Sequence, residues 1–126
     1  AARLIATAAG PETCNLAGQT TVELWAAVLS RCDLALCNDS GGMHLAAAVG
    51  LPGVALFGRT DPAVTGPMSP EWTILRAPGP GSRDVPRTDA EAVRRLQAIG
   101  VEDVVRACRE QLAATARRRA AGGLGT

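Results

Sequence analysis

The chain has 126 residues, a net charge of +1 and a hydrophobic fraction of 47%, so it is long enough for one compact domain and too short for two. All 13 basic residues are arginine, and 12 acidic residues balance them, which excludes the overall basic field that drives non-specific nucleic-acid binding. Apolar runs such as residues 45–49 are far shorter than the roughly 20 residues of a membrane-spanning helix, so membrane spanning is excluded.

The N-terminal part begins with residues 1–9, which read like the end of a helix without its beginning. No initiator Met and no signal peptide precede them, so we interpret the chain as a fragment. Residues 20–23 form a capping box, in which the Thr20 hydroxyl and the Glu23 carboxylate each accept from an amide at a helix start. A helix over residues 21–31 is therefore predicted, with one apolar stripe made of Val22, Trp25, Ala26 and Leu29.

Two strand–loop–helix units are predicted next. Residues 32–37 form a nearly continuous apolar run typical of a strand covered on both faces, and a helix over residues 43–49 follows the polar loop 38–42. Residues 54–57 form a second buried strand, which ends at residues 58–62, where Asp61 can cap a short helical turn opened by Pro62. A weaker third strand covers residues 72–76.

The C-terminal part is predicted to be helical after a Pro- and Gly-rich linker over residues 78–87. A capping box from Thr88 to Glu91 opens a helix that ends near Ala98. The last helix covers residues 101–118 and is expected to pack by a stripe of Val101, Val104, Val105, Cys108 and Leu112. The domain is placed at residues 1–118. Residues 119–126 are interpreted as a flexible tail, and the cluster of arginines 117–119 as solvated rather than as a membrane contact.

This alternation of helices and strands is typical of parallel βαβ units, so the predicted fold class is α/β, a Rossmann-like doubly wound parallel sheet. The cysteines include no close CxxC pair, which favours buried reduced thiols, a cytosolic location and no metal site; they are Cys14, Cys32, Cys37 and Cys108. Neither a Gly-x-Gly-x-x-Gly turn nor a Walker sequence is present, which weakens an ordinary nucleotide-binding Rossmann domain of another class.

The two loops that follow the predicted strands carry the candidate site, because ligands of open α/β sheets bind at the carboxyl ends of the strands. Ser40, Gly41 and Gly42 stand at a helix start, where free amides and the helix dipole favour a diphosphate. Asp39 suits sugar hydroxyls better than an anionic phosphate, and His44 could donate to a phosphate or sugar oxygen. The alternative is that Asp39 or Ser40 is only a helix cap and His44 a packed helix residue.

In the second loop, Arg59 could pair with a phosphate through its guanidinium fork, and Thr60 could hydrogen-bond a diphosphate oxygen. The alternatives are a solvated arginine and a turn residue ahead of the cap formed by Asp61 and Pro62.

Residues 38–62, read as a whole, resemble the signature of the ADP-heptose:lipopolysaccharide heptosyltransferases of glycosyltransferase family 9. Residues 15–24 and 99–112 are similar to two further segments of that family, so the resemblance covers about residues 1 to 112. It implies one half of an inverting GT-B enzyme, the C-terminal half, which binds the nucleotide-sugar donor, ADP-heptose. The acceptor, the lipopolysaccharide core, would bind to an N-terminal half that also supplies the catalytic base.

The resemblance further implies that no cofactor and no fixed metal are needed, and that the enzyme works in the bacterial cytoplasm or peripherally on the inner face of the inner membrane. The implied donor contacts are Asp39, Ser40, Gly41, Gly42 and His44, with Thr20 and Thr60 as further candidates. Because its base would lie elsewhere, the chain alone is expected to be inactive. The alternative function is a non-catalytic or repurposed GT-B-like nucleotide-sugar-binding module attached to another domain.

Overall fold

A computed structural model describes residues 1–79 and 90–122. Within these ranges, three strands alternate with helices; the strands are β1 (Ala35–Asn38), β2 (Gly53–Phe57) and β3 (Trp72–Arg76). The helices are α1 (Ala2–Ala9), α2 (Val22–Leu29), α3 (Gly41–Ala48), α4 (Pro62–Thr65), α5 (Ala90–Gln97) and α6 (Val101–Gly122). The predicted third strand is reproduced residue for residue, and the other predicted elements are present with shifted ends.

The three strands form one parallel sheet in the order β1-β2-β3. In the register, Ala35 lies beside Gly53, and Gly53 in turn lies beside Trp72. A parallel sheet with helices in the connections is the α/β arrangement that the sequence predicted, so this prediction is confirmed. The carboxyl ends of β1 and β2 therefore lie side by side at one edge of the sheet.

The core lies between α3 and one face of the sheet. Its buried members are Met43 and Ala46 from α3, Leu51 from the connection, and Ala55, Phe57 and Trp72 from the strands. On the opposite face of β2, Val54 is also fully buried, and α6 contacts both β2 and β3. The central strand is therefore covered on both faces, as predicted for it.

The first strand is less buried than predicted. β1 begins only at Ala35, alternates between partly buried and exposed residues, and leaves Leu36 52% exposed. Within the described residues β1 pairs only with β2, and α6 covers β2 and β3 instead of β1. Cys32 lies before the strand and donates its thiol to the carbonyl of Val28, so it does not share a strand with Cys37 as predicted.

The cap of α2 is one residue later than predicted. Thr21, not Thr20, occupies the N-cap position, and its hydroxyl accepts from the amide of Leu24 at 3.2 Å. Since Val22 is 65% exposed and Trp25 39% exposed, the predicted apolar stripe is only partly buried. Leu29 is the member of that stripe that packs against the core.

The packing face of α6 also differs from the prediction. Val101, Val105 and Leu112 are exposed, and the buried residues are Ala107 and Thr115. Small side chains at these positions let the helix approach the sheet closely. The prediction was based on hydrophobicity, which favours larger residues such as valine and leucine. Val104 and Cys108 are partly buried, so two of the five predicted residues do lie near the packed face.

Polar contacts hold the C-terminal half of α6 near the amino ends of the strands. Gln111 donates to the carbonyl of Glu71 at 2.6 Å, Arg118 pairs with the Glu71 carboxylate at 3.0 Å, and Arg119 pairs with Asp33. The helix continues through Gly122, so its predicted end near Arg118 is wrong. The predicted capping residue Thr88, most of the linker and residues 123–126 lie outside the described residues.

Candidate functional site

The loop after β1 leads directly into the first turn of α3. Ser40 is the N-cap residue in extended conformation, with φ −160° and ψ 167°, but its side chain makes no capping hydrogen bond. Its hydroxyl donates instead to the carbonyl of Asn38 at 3.2 Å. Ser40 therefore holds the N-cap position, as the alternative proposed, but its side chain does not cap the helix, and within the described residues no side chain accepts from the first amides of α3.

Asp39 does not cap α3 either. Its Oδ2 accepts a hydrogen bond of 3.0 Å from the hydroxyl of Thr65, the last residue of α4. The carboxylate is thus tied to the helix that follows β2, and the two loops are joined by a side-chain contact as well as by the sheet.

The loop after β2 has a local capping arrangement. Asp61 caps α4 by accepting from the amide of Ala63 at 3.0 Å, with Pro62 in the first turn, as predicted. A guanidinium nitrogen of Arg76 lies 3.9 Å from the same carboxylate oxygen. Both groups are substantially exposed, so this ion pair contributes little to stability.

Two glycines in these loops are required by packing. A Cβ at Gly58 would lie 2.8 Å from Cγ of Leu96, so α5 lies directly against the loop after β2. A Cβ at Gly42 would lie 2.8 Å from the indole ring of Trp25 on α2. Gly41, by contrast, has no atom of the described residues within 4 Å of its added Cβ, so the start of α3 is open on that side.

A pocket of about 140 Å³ lies where the two loops and α5 meet. Its polar part consists of Asn38, Asp39, Ser40, Arg59 and Thr60, and its remaining walls are Gly58, Leu56, Ala92 and Leu96. One acidic and one basic side chain therefore lie beside hydroxyl groups and an apolar wall. This mixture suits a ligand that carries hydroxyls, a charged group and an apolar surface.

Three of the seven predicted donor contacts line this pocket, namely Asp39, Ser40 and Thr60. Gly41 follows Ser40 at the open helix start without lining the pocket, and Gly42 is packed under Trp25. His44 is exposed on α3, so the alternative that it is packed under the loop is wrong. Thr20 is partly buried ahead of α2 and does not line the pocket.

Sequence reasoning missed the residues that reach this edge from elsewhere in the chain. Leu96 and Ala92 belong to α5, and neither loop carries a local signal for them. The helical spacing of Trp25 predicted ordinary core packing, so its contact with Gly42 was not expected from the sequence. Thr65 stands close after the Asp61 cap, but no spacing rule connects it with a residue 26 positions earlier.

One ionisable group near the pocket is Glu91 on α5, which pairs with two arginines. Hydrogen bonds from Arg95 first, and then from Arg94, hold the pKa of Glu91 below its usual value. On β1, burial raises the pKa of the Cys37 thiol, which disfavours the reactive thiolate. Across residues 1–79 and 90–122, no cluster of three or more His, Cys, Asp or Glu side chains is placed to hold a metal ion.

The groups at this edge of the sheet are of the kinds that bind phosphates and sugars in other α/β proteins. Free amides at the positive end of a helix can bind a phosphate, and a neighbouring carboxylate can accept from sugar hydroxyls. Both occur at the carboxyl edge of a parallel α/β sheet, where such folds bind nucleotides and related ligands.

Comparison with known proteins gives the family. The profile described as glycosyltransferase family 9 (heptosyltransferase) matches residues 1–93, and the chain belongs to this family. Lipooligosaccharide heptosyltransferase 2 of Haemophilus influenzae is 45% identical over 62 residues, which are 49% of this chain and 18% of the relative. The lipopolysaccharide heptosyltransferase 2 proteins of Salmonella typhimurium and Escherichia coli are 42% and 40% identical, with the same coverage of both chains.

The chain spans about 18% of the length of these curated relatives. No solved structure matches it. In the part of the chain that is described, none of the helices has the length and apolar character needed to cross a membrane.

Proposed function

We propose that the complete protein is an inverting glycosyltransferase that transfers heptose from ADP-heptose to the lipopolysaccharide inner core, and that this chain supplies donor-binding residues. The observation that carries the proposal is that Asp39 and Ser40, the N-cap residue of α3, line one pocket together with residues 58–60. Membership of glycosyltransferase family 9 supports the reaction class, and the relatives' names supply heptose and lipopolysaccharide.

In the proposed mechanism, the acceptor hydroxyl attacks the anomeric carbon of heptose while the bond to the diphosphate breaks. Negative charge develops on the departing ADP, and the amides at Ser40, Gly41 and Gly42 stabilise it at the positive end of α3. Asp39 accepts from the sugar hydroxyls. Thr60 and the exposed His44 donate to diphosphate or sugar oxygens, and Thr20 is a further candidate contact outside the pocket.

The catalytic base is proposed to lie in an acceptor-binding half outside this chain. The proposed mechanism needs no fixed metal and no cofactor. The preorganised amides at the start of α3 supply the positive potential that stabilises the leaving group. The reaction is proposed to take place on the cytoplasmic side of the bacterial inner membrane, where the enzyme would be peripheral.

The test uses the complete protein with ADP-heptose and a lipopolysaccharide core acceptor that lacks the heptose. We expect heptose transfer with release of ADP, and much slower turnover when ADP-heptose is replaced by ADP-mannose or by a heptose linked to another nucleotide. Tight binding of ADP-heptose without any transfer would instead favour the repurposed module. Absence of both binding and transfer would contradict the proposal.

A further inference from the structure

The Thr65 hydroxyl has two acceptors within hydrogen-bond distance, and one of them lies outside the turn that contains Thr65. The Thr65 hydroxyl lies 3.0 Å from Oδ2 of Asp39 and 3.3 Å from the carbonyl oxygen of Asp61, one turn earlier in its own helix. A hydroxyl has one proton to donate, and a carboxylate is the stronger acceptor. The proton therefore goes to Asp39, although a local acceptor is within reach.

The position of Thr65 is itself held firmly. Asp61 caps the start of α4, and the amide of Gly66 donates to the carbonyl of Pro62 at 2.8 Å at its end. Because its side chain is β-branched, Thr65 also has few rotamers available. The hydroxyl is thus fixed in place before any ligand binds.

Asp39, in contrast, has a soft terminal torsion, since the carboxylate of aspartate rotates over a broad range. The bond from Thr65 fixes that rotation and occupies Oδ2, which leaves the lone pairs of Oδ1 for a second partner. Asp39 lines the pocket, so a ligand hydroxyl is a suitable second partner.

We propose that Thr65 is a positioning residue that orients the Asp39 carboxylate towards the hydroxyls of the donor sugar. This inference rests on the proposed function, because it takes a sugar hydroxyl as the partner of Oδ1. Thr65 itself does not touch the donor in this arrangement; it acts through Asp39.

The test compares variants of the complete protein. Thr65→Val removes the hydroxyl and keeps the shape, Thr65→Ser keeps the hydroxyl, and Thr65→Ala is a second variant without the hydroxyl in case the valine variant does not fold. Thr7→Val is the matched control: the Thr7 hydroxyl also lies near a carbonyl oxygen four residues earlier, to which it donates at 3.0 Å (Arg3), but it makes no contact with Asp39.

Dissociation constants are measured for ADP-heptose and for free ADP, together with kcat/KM and the melting temperature. Thr65→Val is expected to weaken ADP-heptose binding about three- to tenfold and to lower kcat/KM by a similar factor, with ADP affinity unchanged. Thr65→Ser is expected to restore most of the loss, and Thr7→Val to behave like the wild type. A purely structural role would lower the affinity for both ligands and the melting temperature together.

A double variant separates this inference from the proposed function. If Thr65 acts through Asp39, adding Thr65→Val to Asp39→Asn has little further effect on ADP-heptose affinity. If the two losses multiply, or if Thr65→Val binds like the wild type while Asp39→Asn binds selectively worse, the positioning role is refuted and the proposed function stands. If neither single variant changes donor affinity and the wild type transfers no heptose, both are refuted.

Discussion

The loops after β1 and β2 lie side by side at the same edge of the sheet, yet their conformations are determined in different ways. The loop after β2 contacts α5 at Gly58, but its turn is fixed by its own residues, through the Asp61 cap and the hydrogen bond from Gly66 to Pro62. The loop after β1 and the first turn of α3 are fixed by residues from other elements, through Thr65 against Asp39 and Trp25 against Gly42. The difference shows that the conformation of the loop that contains Asp39 and Ser40 depends on tertiary contacts.

The largest expected effect comes from Gly66→Ala, which tests whether the turn after β2 is fixed by its own residues. A Cβ at Gly66 would lie 2.3 Å from the carbonyl oxygen of Pro62, so Gly66→Ala forces the backbone of α4 to move. We expect a loss of about 1–3 kcal/mol in the free energy of unfolding, as for other overpacked sites. Denaturant unfolding measures it.

Gly41→Ala is the matched control in the first loop, since nothing lies within 4 Å of its added Cβ. It should change the unfolding free energy by no more than about 0.5 kcal/mol. If Gly66→Ala and Gly41→Ala destabilise the protein equally, the clash between the added methyl group and Pro62 is not the cause of the loss. The predicted difference between the two loops would then be contradicted.

A second prediction concerns the contact of Trp25 with the first loop. Trp25→Ala should cost about 1–2 kcal/mol of unfolding free energy, less than the roughly 3–5 kcal/mol of a buried tryptophan, because 39% of Trp25 is exposed. Gly42→Ala in the wild type combines a gain in helix propensity with a clash against the indole. In the Trp25→Ala background the clash is absent, so Gly42→Ala should destabilise the protein less there than in the wild type, or should stabilise it.

The double-mutant cycle is read from the unfolding free energies of the four proteins. A coupling near zero between positions 25 and 42 would argue that the first loop does not depend on α2.

The third prediction is smaller and concerns the cap of α4. Asp61→Ala should cost about 1 kcal/mol of stability, since it removes the acceptor for the Ala63 amide. Asp61→Asn keeps a good cap and loses only the exposed pair with Arg76, so it should stay close to the wild type. Thermal unfolding of both variants checks this, and a similar loss in the asparagine variant would mean that the ion pair, not the cap, stabilises the turn.

The same contrast explains how much could be predicted from the sequence. The parallel strands and the Asp61 cap follow from local signals, such as apolar runs and a cap followed by proline. The burial of α6 could not be read this way, because Ala107 and Thr115 pack where larger residues were expected. The cap at Thr21 instead of Thr20 shows that two adjacent threonines leave the register of a helix start open.

For the site, the sequence indicated which loops converge but not what surrounds them. Asp39, Ser40 and Thr60 could be selected because they lie in the loops that follow the predicted strands. The α5 wall and Thr65 could not, since their contacts join residues distant in sequence. The contact from Thr65 argues against the alternative that Asp39 is only a helix cap, because it connects the Asp39 carboxylate to α4.

The most direct test of the proposed donor site is the effect of Asp39→Asn on two ligands of the complete protein, ADP-heptose and free ADP. An asparagine keeps the size of the side chain but loses the charged acceptor, whose hydrogen bonds contribute roughly 1.5–3 kcal/mol each. We expect Asp39→Asn to bind ADP-heptose about tenfold to a hundredfold more weakly, with unchanged affinity for ADP and an unchanged melting temperature. Equal affinities of variant and wild type for ADP-heptose, with unchanged turnover, would contradict the assignment of Asp39 to the donor sugar.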